Sequence, residues 1–199
     1  MKNNPSISKY LINECKKEDI NIYIIKYLVE HGTDINKKNN HDKILLFNAC
    51  GSRNVTIGKY LVEHGANINK TNKNWETPLI KACENGNEAV VKYLVELGAD
   101  ISKTNKYGET PLFEACKNGN VTIVKYLVEH GVNINKTNEY GDIPLFNACY
   151  KGNEAVVKYL VELGANVNEL NSSHETPLFK ACDNGNEVVV KYLLNMVLI

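Results

Sequence analysis

The chain has 199 residues, 23 basic and 23 acidic, and a formal net charge of zero, so it has no global cationic excess for phosphate binding and no nucleic-acid partner is expected. An apolar share of 43% argues against a disordered chain. No run approaches the roughly 18 apolar residues of a membrane span, and no apolar stretch follows the opening Met-Lys-Asn-Asn-Pro, so neither a membrane segment nor a secretory leader is expected.

In chain order, the first unit falls near residues 6–38. It carries a polar turn, Lys16-Lys17-Glu18-Asp19, between two apolar stretches, and Leu11 to Leu28 spans 17 residues where Leu79 to Leu94 spans 15. That marks it as a cap-like variant. The next unit, 39–71, opens with Ile44-Leu45-Leu46. Its Arg53 stands where other units keep glycine, a strained place if the backbone there is left-handed. Units at 72–104, 105–137 and 138–170 open with Thr77-Pro78-Leu79, Thr110-Pro111-Leu112 and Ile143-Pro144-Leu145. The last, 171–199, opens with Thr176-Pro177-Leu178 and carries Val197 where a glycine should stop its second helix.

The period is explicit. Cys15, Cys50, Cys83, Cys116, Cys149 and Cys182 are separated by 35 residues and then by 33 each time. Tyr-Leu pairs recur every 33 residues from Tyr27 to Tyr192. Such self-similarity is the mark of a repeat architecture.

The unit 105–137 explains itself physically. Asn105 to Glu109, with Gly108, is a turn. Thr110-Pro111 starts a helix, a hydroxyl at the N-cap and a proline where a missing N–H costs nothing. Leu112, Ala115 and Cys116 form its apolar stripe. Gly119 suits a left-handed C-terminal position, and Asn120 suits the cap of a second helix. That helix would bury Val121, Val124, Leu127 and Val128, and Gly131 would stop it. Neither helix buries its stripe alone, so stacked neighbours must form one continuous core.

These motifs resemble the ankyrin repeat, whose 33-residue unit carries T-P-L-H-x-A. Here that stretch reads Thr77-Pro78-Leu79-Ile80-Lys81-Ala82 and Thr110-Pro111-Leu112-Phe113-Glu114-Ala115, and the family's later G-A-D-x-N reads Gly65-Ala66-Asn67-Ile68-Asn69 and Gly98-Ala99-Asp100-Ile101-Ser102. The resemblance implies an all-α solenoid of six stacked helix-turn-helix units with projecting hairpin loops, one domain over 1–199, elongated and gently curved. The family histidine is replaced by Phe47, Ile80, Phe113, Phe146 and Phe179, and the second alanine of its Ala-Ala pair is cysteine. One cysteine per unit reads as a buried, inert core residue, not as a disulfide framework.

The family's partners usually dock on the hairpin tips and first helices. The columns that vary from unit to unit there name the candidate partner-binding residues: Trp75, Tyr107 and Tyr140 on consecutive tips, edged by Glu76, Glu109 and Asp142, with Tyr150 at a helix end and His174 in the glycine column. Exposed tryptophan and tyrosine are typical interface anchors. Trp75 and His174 also stand where the turn prefers glycine. A lysine ladder (Lys37, Lys70, Lys103, Lys136) reads as a solvated face, and the second-helix tyrosines as packing. The 29 asparagines and the 22 lysines against one arginine read as the codon bias of an A/T-rich genome.

No C-x-x-C pair, H-E-x-x-H, phosphate-cradling glycine loop or Ser/His/Asp set stands out, so no metal, cofactor or catalysis is expected. The sequence is read as a protein-binding module or scaffold, not an enzyme, in a reducing cytoplasmic setting compatible with the nucleus. The alternative is a targeting or regulatory segment of a longer protein or enzyme. A third option is weak self-association through the apolar Met196-Val197-Leu198-Ile199 end.

Overall fold

The computed structural model describes residues 22–38, 44–52 and 55–197. Among these the regular structure is helical, in two compact units divided between Asp100 and Ile101. The expectations on Leu11, Cys15, Lys16 to Asp19, His41 to Lys43, Arg53, Leu198 and Ile199 lie outside the described residues.

The first unit holds α1 (Ile22–Glu30), α2 (Leu45–Gly51), α3 (Val55–Glu63), α4 (Pro78–Glu84) and α5 (Glu88–Glu96). First helices stack on first helices, α2 on α4, and second on second, α3 on α5, while α2 packs on α3 and α4 on α5 within their repeats. Thr77 starts α4 as its composition demands: its Oγ1 accepts the Ile80 amide at 3.2 Å, and Pro78 takes the first helical position. α2 lacks that cap, since Ile44 offers no side-chain acceptor. Burial holds it in place instead, with Leu45, Leu46, Ala49 and Cys50 at 3% exposure or less.

The second unit holds α6 (Pro111–Asn118), α7 (Val121–Glu129), α8 (Pro144–Lys151), α9 (Glu154–Glu162), α10 (Pro177–Asp183) and α11 (Glu187–Val197). The first helices α6, α8 and α10 stack in series, and so do the second helices α7, α9 and α11. Leu112, Ala115 and Cys116 are fully buried, as their spacing predicts. In α7 the buried face centres on Ile123, Val124 and Leu127. Val121 and Val128, expected in the stripe, stand half-exposed at its margins, because the face turned to α6 and α9 is narrower than an apolar count suggests. α11 runs eleven residues against nine in α9, through the valine that replaces the stopping glycine.

Within each unit, asparagines tie a repeat to the one before it. Asn87 Nδ2 donates to the Ser52 carbonyl at 3.0 Å in the first unit. In the second, Asn153 Nδ2 donates to the carbonyls of Cys116 (2.8 Å) and Lys117 (3.2 Å), and Asn186 Nδ2 to those of Cys149 (2.8 Å) and Tyr150 (2.9 Å). These carbonyls lie in the last turns of α6 and α8, where a helix leaves carbonyl groups open to a side-chain donor. Gly119 serves this contact twice. Its φ of 84° closes α6 in the left-handed region, and a Cβ there would lie 2.6 Å from the Asn153 oxygen.

Cys50, Cys83, Cys116 and Cys149 form no disulfide and are buried, as expected of core thiols, and burial pushes the Cys149 thiol up to about 12. Cys182 departs from the expectation: it is exposed. Phe179 is likewise 52% exposed, where Phe47, Ile80, Phe113 and Phe146 are at 8% or less. The chemistry of these places is the same in every repeat. What differs is that no later repeat among the described residues covers them.

Candidate interaction surface

The hairpin turns are built by one asparagine each. Asn72 Oδ1 accepts the amides of Asn74 (2.9 Å) and Glu76 (3.1 Å), and the Asn72 amide donates to the Glu76 carbonyl. Asn105, Asn138 and Asn171 repeat the pattern with their own residues two and four places on. A short amide side chain can mimic the turn's backbone, and that is why asparagine suits the place. These three are at least nine-tenths buried. Sequence reasoning missed them. The signal was present as Asn followed four places later by Glu or Asp, at the 33-residue period.

The acidic residues expected at the edge of an aromatic strip serve the same turns. Glu76 Oε2 accepts from Asn72 Nδ2 at 2.6 Å, and Glu109 Oε2 from Asn105 Nδ2 at 2.8 Å. Asp142 Oδ1 accepts from Asn171 Nδ2 at 2.9 Å, and that same amide donates to Glu175 Oε2 at 3.0 Å. All four acids are half-buried. The Lys180 ammonium, and after it the Asn171 amide, hold the Glu175 carboxyl below its ordinary value of 4.5. Each acid therefore turns at least one oxygen toward its own framework.

The aromatic candidates point the other way. In the first unit Trp75 is 63% exposed and adopts φ 61°, left-handed, as its glycine-type column predicts. In the second unit Tyr107 and Tyr140 are 42% and 54% exposed, and their rings lie 6.3 Å apart, 29° from parallel. Backbone bonds set this pairing. The Glu139 amide donates to the Tyr107 carbonyl at 2.9 Å, and the Ser172 amide to the Tyr140 carbonyl at 2.9 Å. The approach is so close that a Cβ on Gly108 would lie 3.0 Å from the Glu139 nitrogen. Lys106 Nζ stands 4.8 Å from the centre of the Tyr107 ring.

Tyr150 lies in the last turn of α8 and is exposed, with Lys151 Nζ 5.3 Å from its ring centre. Its carbonyl accepts from Asn184 Nδ2 at 2.6 Å and from Asn186. His174 is exposed at φ 59°, and its amide donates to the Asn171 carbonyl at 2.9 Å. The structure thus brings Tyr107 and Tyr140 together as a ring pair. Glu109 and Asp142 lie in the turns beneath them, and Trp75 and Glu76 form their own tip in the first unit.

The second helices carry a ladder that sequence alone did not reveal. Lys26 stands over Tyr60 (5.6 Å) and Lys59 over Tyr93 (5.2 Å) in the first unit, and Lys125 over Tyr159 (5.3 Å) and Lys158 over Tyr192 (5.7 Å) in the second. Each is a cation over a ring face of the following repeat. The packing expected of these tyrosines holds for Tyr60, at 9% exposure, but not for Tyr27, at 59%. Of the loop lysines, Lys37 and Lys136 are exposed and Lys70 and Lys103 half-buried.

Among the described residues no group of three or more His, Cys, Asp or Glu is placed to hold a metal ion, and no helix is long and apolar enough to cross a membrane. A family model described as ankyrin repeats (3 copies) matches residues 11–105, 67–138, 99–171 and 134–197. No curated protein matches the chain.

Proposed function

The chain belongs to the ankyrin-repeat family, whose repeats are generally protein–protein interaction modules, and from that premise we propose that it binds a partner protein through its hairpin tips and first helices. The observation that carries this reading is the Tyr107–Tyr140 pair, exposed yet fixed by its own backbone. A contact surface ordered before binding loses little conformational entropy on binding. Tyrosine supplies a large amphipathic contact area with few rotatable bonds. Trp75, Tyr150 and His174 extend the same kind of surface in their own units. The ring faces, with Glu76, Glu109 and Asp142 behind them, suit apolar or basic side chains of the partner.

The protein acts as a scaffold, without catalysis or cofactor. Free thiols suit a reducing cytoplasmic or nuclear setting. Capture of the partner from the source cell, followed by calorimetry, tests the reading. Trp75→Ala combined with Tyr107→Ala should weaken affinity for that partner, and an unchanged affinity sinks it. A second reading, a targeting or regulatory segment of a longer protein, is favoured by the uncovered Phe179. The full-length transcript decides it.

A further inference from the structure

The two tyrosine tips of the second unit share one construction, and a third tip repeats it without the ring. The Glu139 amide donates to the Tyr107 carbonyl and the Ser172 amide to the Tyr140 carbonyl, each at 2.9 Å. Asn138 and Asn171 close their turns through the same pair of bonds. The tip at 171–175 therefore meets the tip at 138–142 as that one meets the tip at 105–109. In the tyrosine column, Ser173 follows Tyr140 at the same interval by which Tyr140 follows Tyr107. Tyr140 has the Tyr107 ring on one side, 6.3 Å away. On the side of Ser173 a hydroxymethyl group stands where a third ring would stack, and it is too short to cover Tyr140. That ring is 54% exposed.

Charge decides what suits the bare face. In this unit Lys106, Lys151, Lys125 and Lys158 stand over the rings of Tyr107, Tyr150, Tyr159 and Tyr192, each within the roughly 6 Å of a cation–π contact. Among the described residues no lysine or arginine stands over Tyr140. The tips 138–142 and 171–175 hold three acids, Glu139, Asp142 and Glu175, and no lysine or arginine. Glu175 is paired with Lys180 of α10 at 2.5 Å, and Asp142 accepts from Asn171 Nδ2 at 2.9 Å. Glu139 precedes the bare ring in the chain and is exposed. Its carboxylate accepts no hydrogen bond and makes no ion pair among the described residues.

We propose that the partner docks an arginine here, its guanidinium stacked on the Tyr140 ring in the place of a third tip tyrosine and paired with the Glu139 carboxylate. The inference rests on the tip-binding reading above and names the partner's chemistry, a protein segment that carries arginine. A guanidinium is planar, weakly hydrated and always charged, so it stacks on a ring while its edge meets a carboxylate. An ammonium is a strongly hydrated point charge and offers no such plane.

Titration of the full chain with hexa-arginine and hexacitrulline peptides, followed through its amide NMR signals, tests the site. Citrulline keeps the shape of arginine without the charge. Hexa-arginine should shift the amides of 138–142 and 171–175 most, and hexacitrulline should bind about tenfold more weakly or less. Tyr140→Leu removes the ring and Ser173→Tyr covers it, and neither alters net charge. Both change exposed side chains, so circular dichroism should remain native, and each should weaken hexa-arginine binding about fivefold or more. Equal affinity for hexacitrulline, or an affinity unmoved by both variants, overturns the arginine site. The captured partner separates this failure from that of the broader reading. Lost affinity in Trp75→Ala/Tyr107→Ala with none lost in Ser173→Tyr keeps tip binding and overturns the arginine site. Loss in both supports both, and loss in neither overturns both.

Discussion

The rings of Tyr107 and Tyr140 lie 6.3 Å apart, and the Tyr107 carbonyl accepts the amide of Glu139, the residue just before Tyr140. One geometric fact therefore fixes both backbone and side chains of neighbouring tips. The tip surface is as rigid as the turns beneath it, and those turns rest on Asn105 and Asn138.

Two threonines in equivalent places predict opposite outcomes. Thr77 Oγ1 caps α4 through the Ile80 amide. The Thr110 hydroxyl is buried without a partner, and the Phe113 amide bonds the Thr110 carbonyl instead, at 3.0 Å. Ile143 and Phe146 use that same backbone arrangement with no hydroxyl at all. Thr77→Val should cost about 1 kcal/mol. Thr110→Val should cost nothing or stabilise by up to ~1 kcal/mol, since it removes an unsatisfied polar group. Paired urea denaturations measure the difference.

Two phenylalanines provide a second internal comparison. Phe113 is 0% exposed and Phe179 is 52% exposed. Phe113→Ala should destabilise by roughly 3–5 kcal/mol, cavity included, and Phe179→Ala by under about 1 kcal/mol. Thermal unfolding of the two variants beside the parent separates them. Equal losses would place Phe179 in a core that the structure does not give it.

The two phenylalanines also mark how far sequence reaches. The period, the Thr-Pro helix starts and the left-handed glycine columns were legible because they are local: one residue's backbone preference decides each. Trp75 and His174 were legible for the same reason, as side chains in a glycine column. Phe179 and Cys182 were not, because their letters match the buried residues of earlier repeats and only the following repeat decides their exposure. The asparagines read as codon bias, yet Asn72, Asn105, Asn138 and Asn171 hold the tips together. Their bonds depend on backbone angles that composition does not report. Glu109 and Asp142 appeared in the right column, but the inward turn of their carboxylates was not visible.

The Glu175–Lys180 pair gives a pH prediction with a definite sign. Lys180, with help from Asn171, lowers the Glu175 pKa in the folded chain, so the unfolded chain binds its proton more readily. The contribution is fully present above the ordinary glutamate value of 4.5 and is lost as pH falls through the lower folded value. Stability measured downward from neutral pH should fall less steeply on the acid side in Glu175→Gln than in the parent. Parallel acid limbs would show that the pair contributes nothing to the pH dependence.

Trp75 sets stability against function. At φ 61° a tryptophan is strained where glycine is not. Trp75→Gly should therefore stabilise the first unit by roughly 1 kcal/mol while weakening partner binding. A gain in melting temperature with loss of affinity is the expected pair of results. Destabilisation would mean that the indole holds its unit together.

The most direct measurement is the affinity of the captured partner for three proteins: the parent chain, a Tyr107→Ala/Tyr140→Ala variant, and a Tyr159→Ala variant altered on the second-helix ladder. Tip-mediated binding predicts that the double variant loses about a hundredfold, near 2.7 kcal/mol, with Tyr159→Ala unchanged. An unaltered affinity in the double variant, or a loss confined to Tyr159→Ala, would contradict the account.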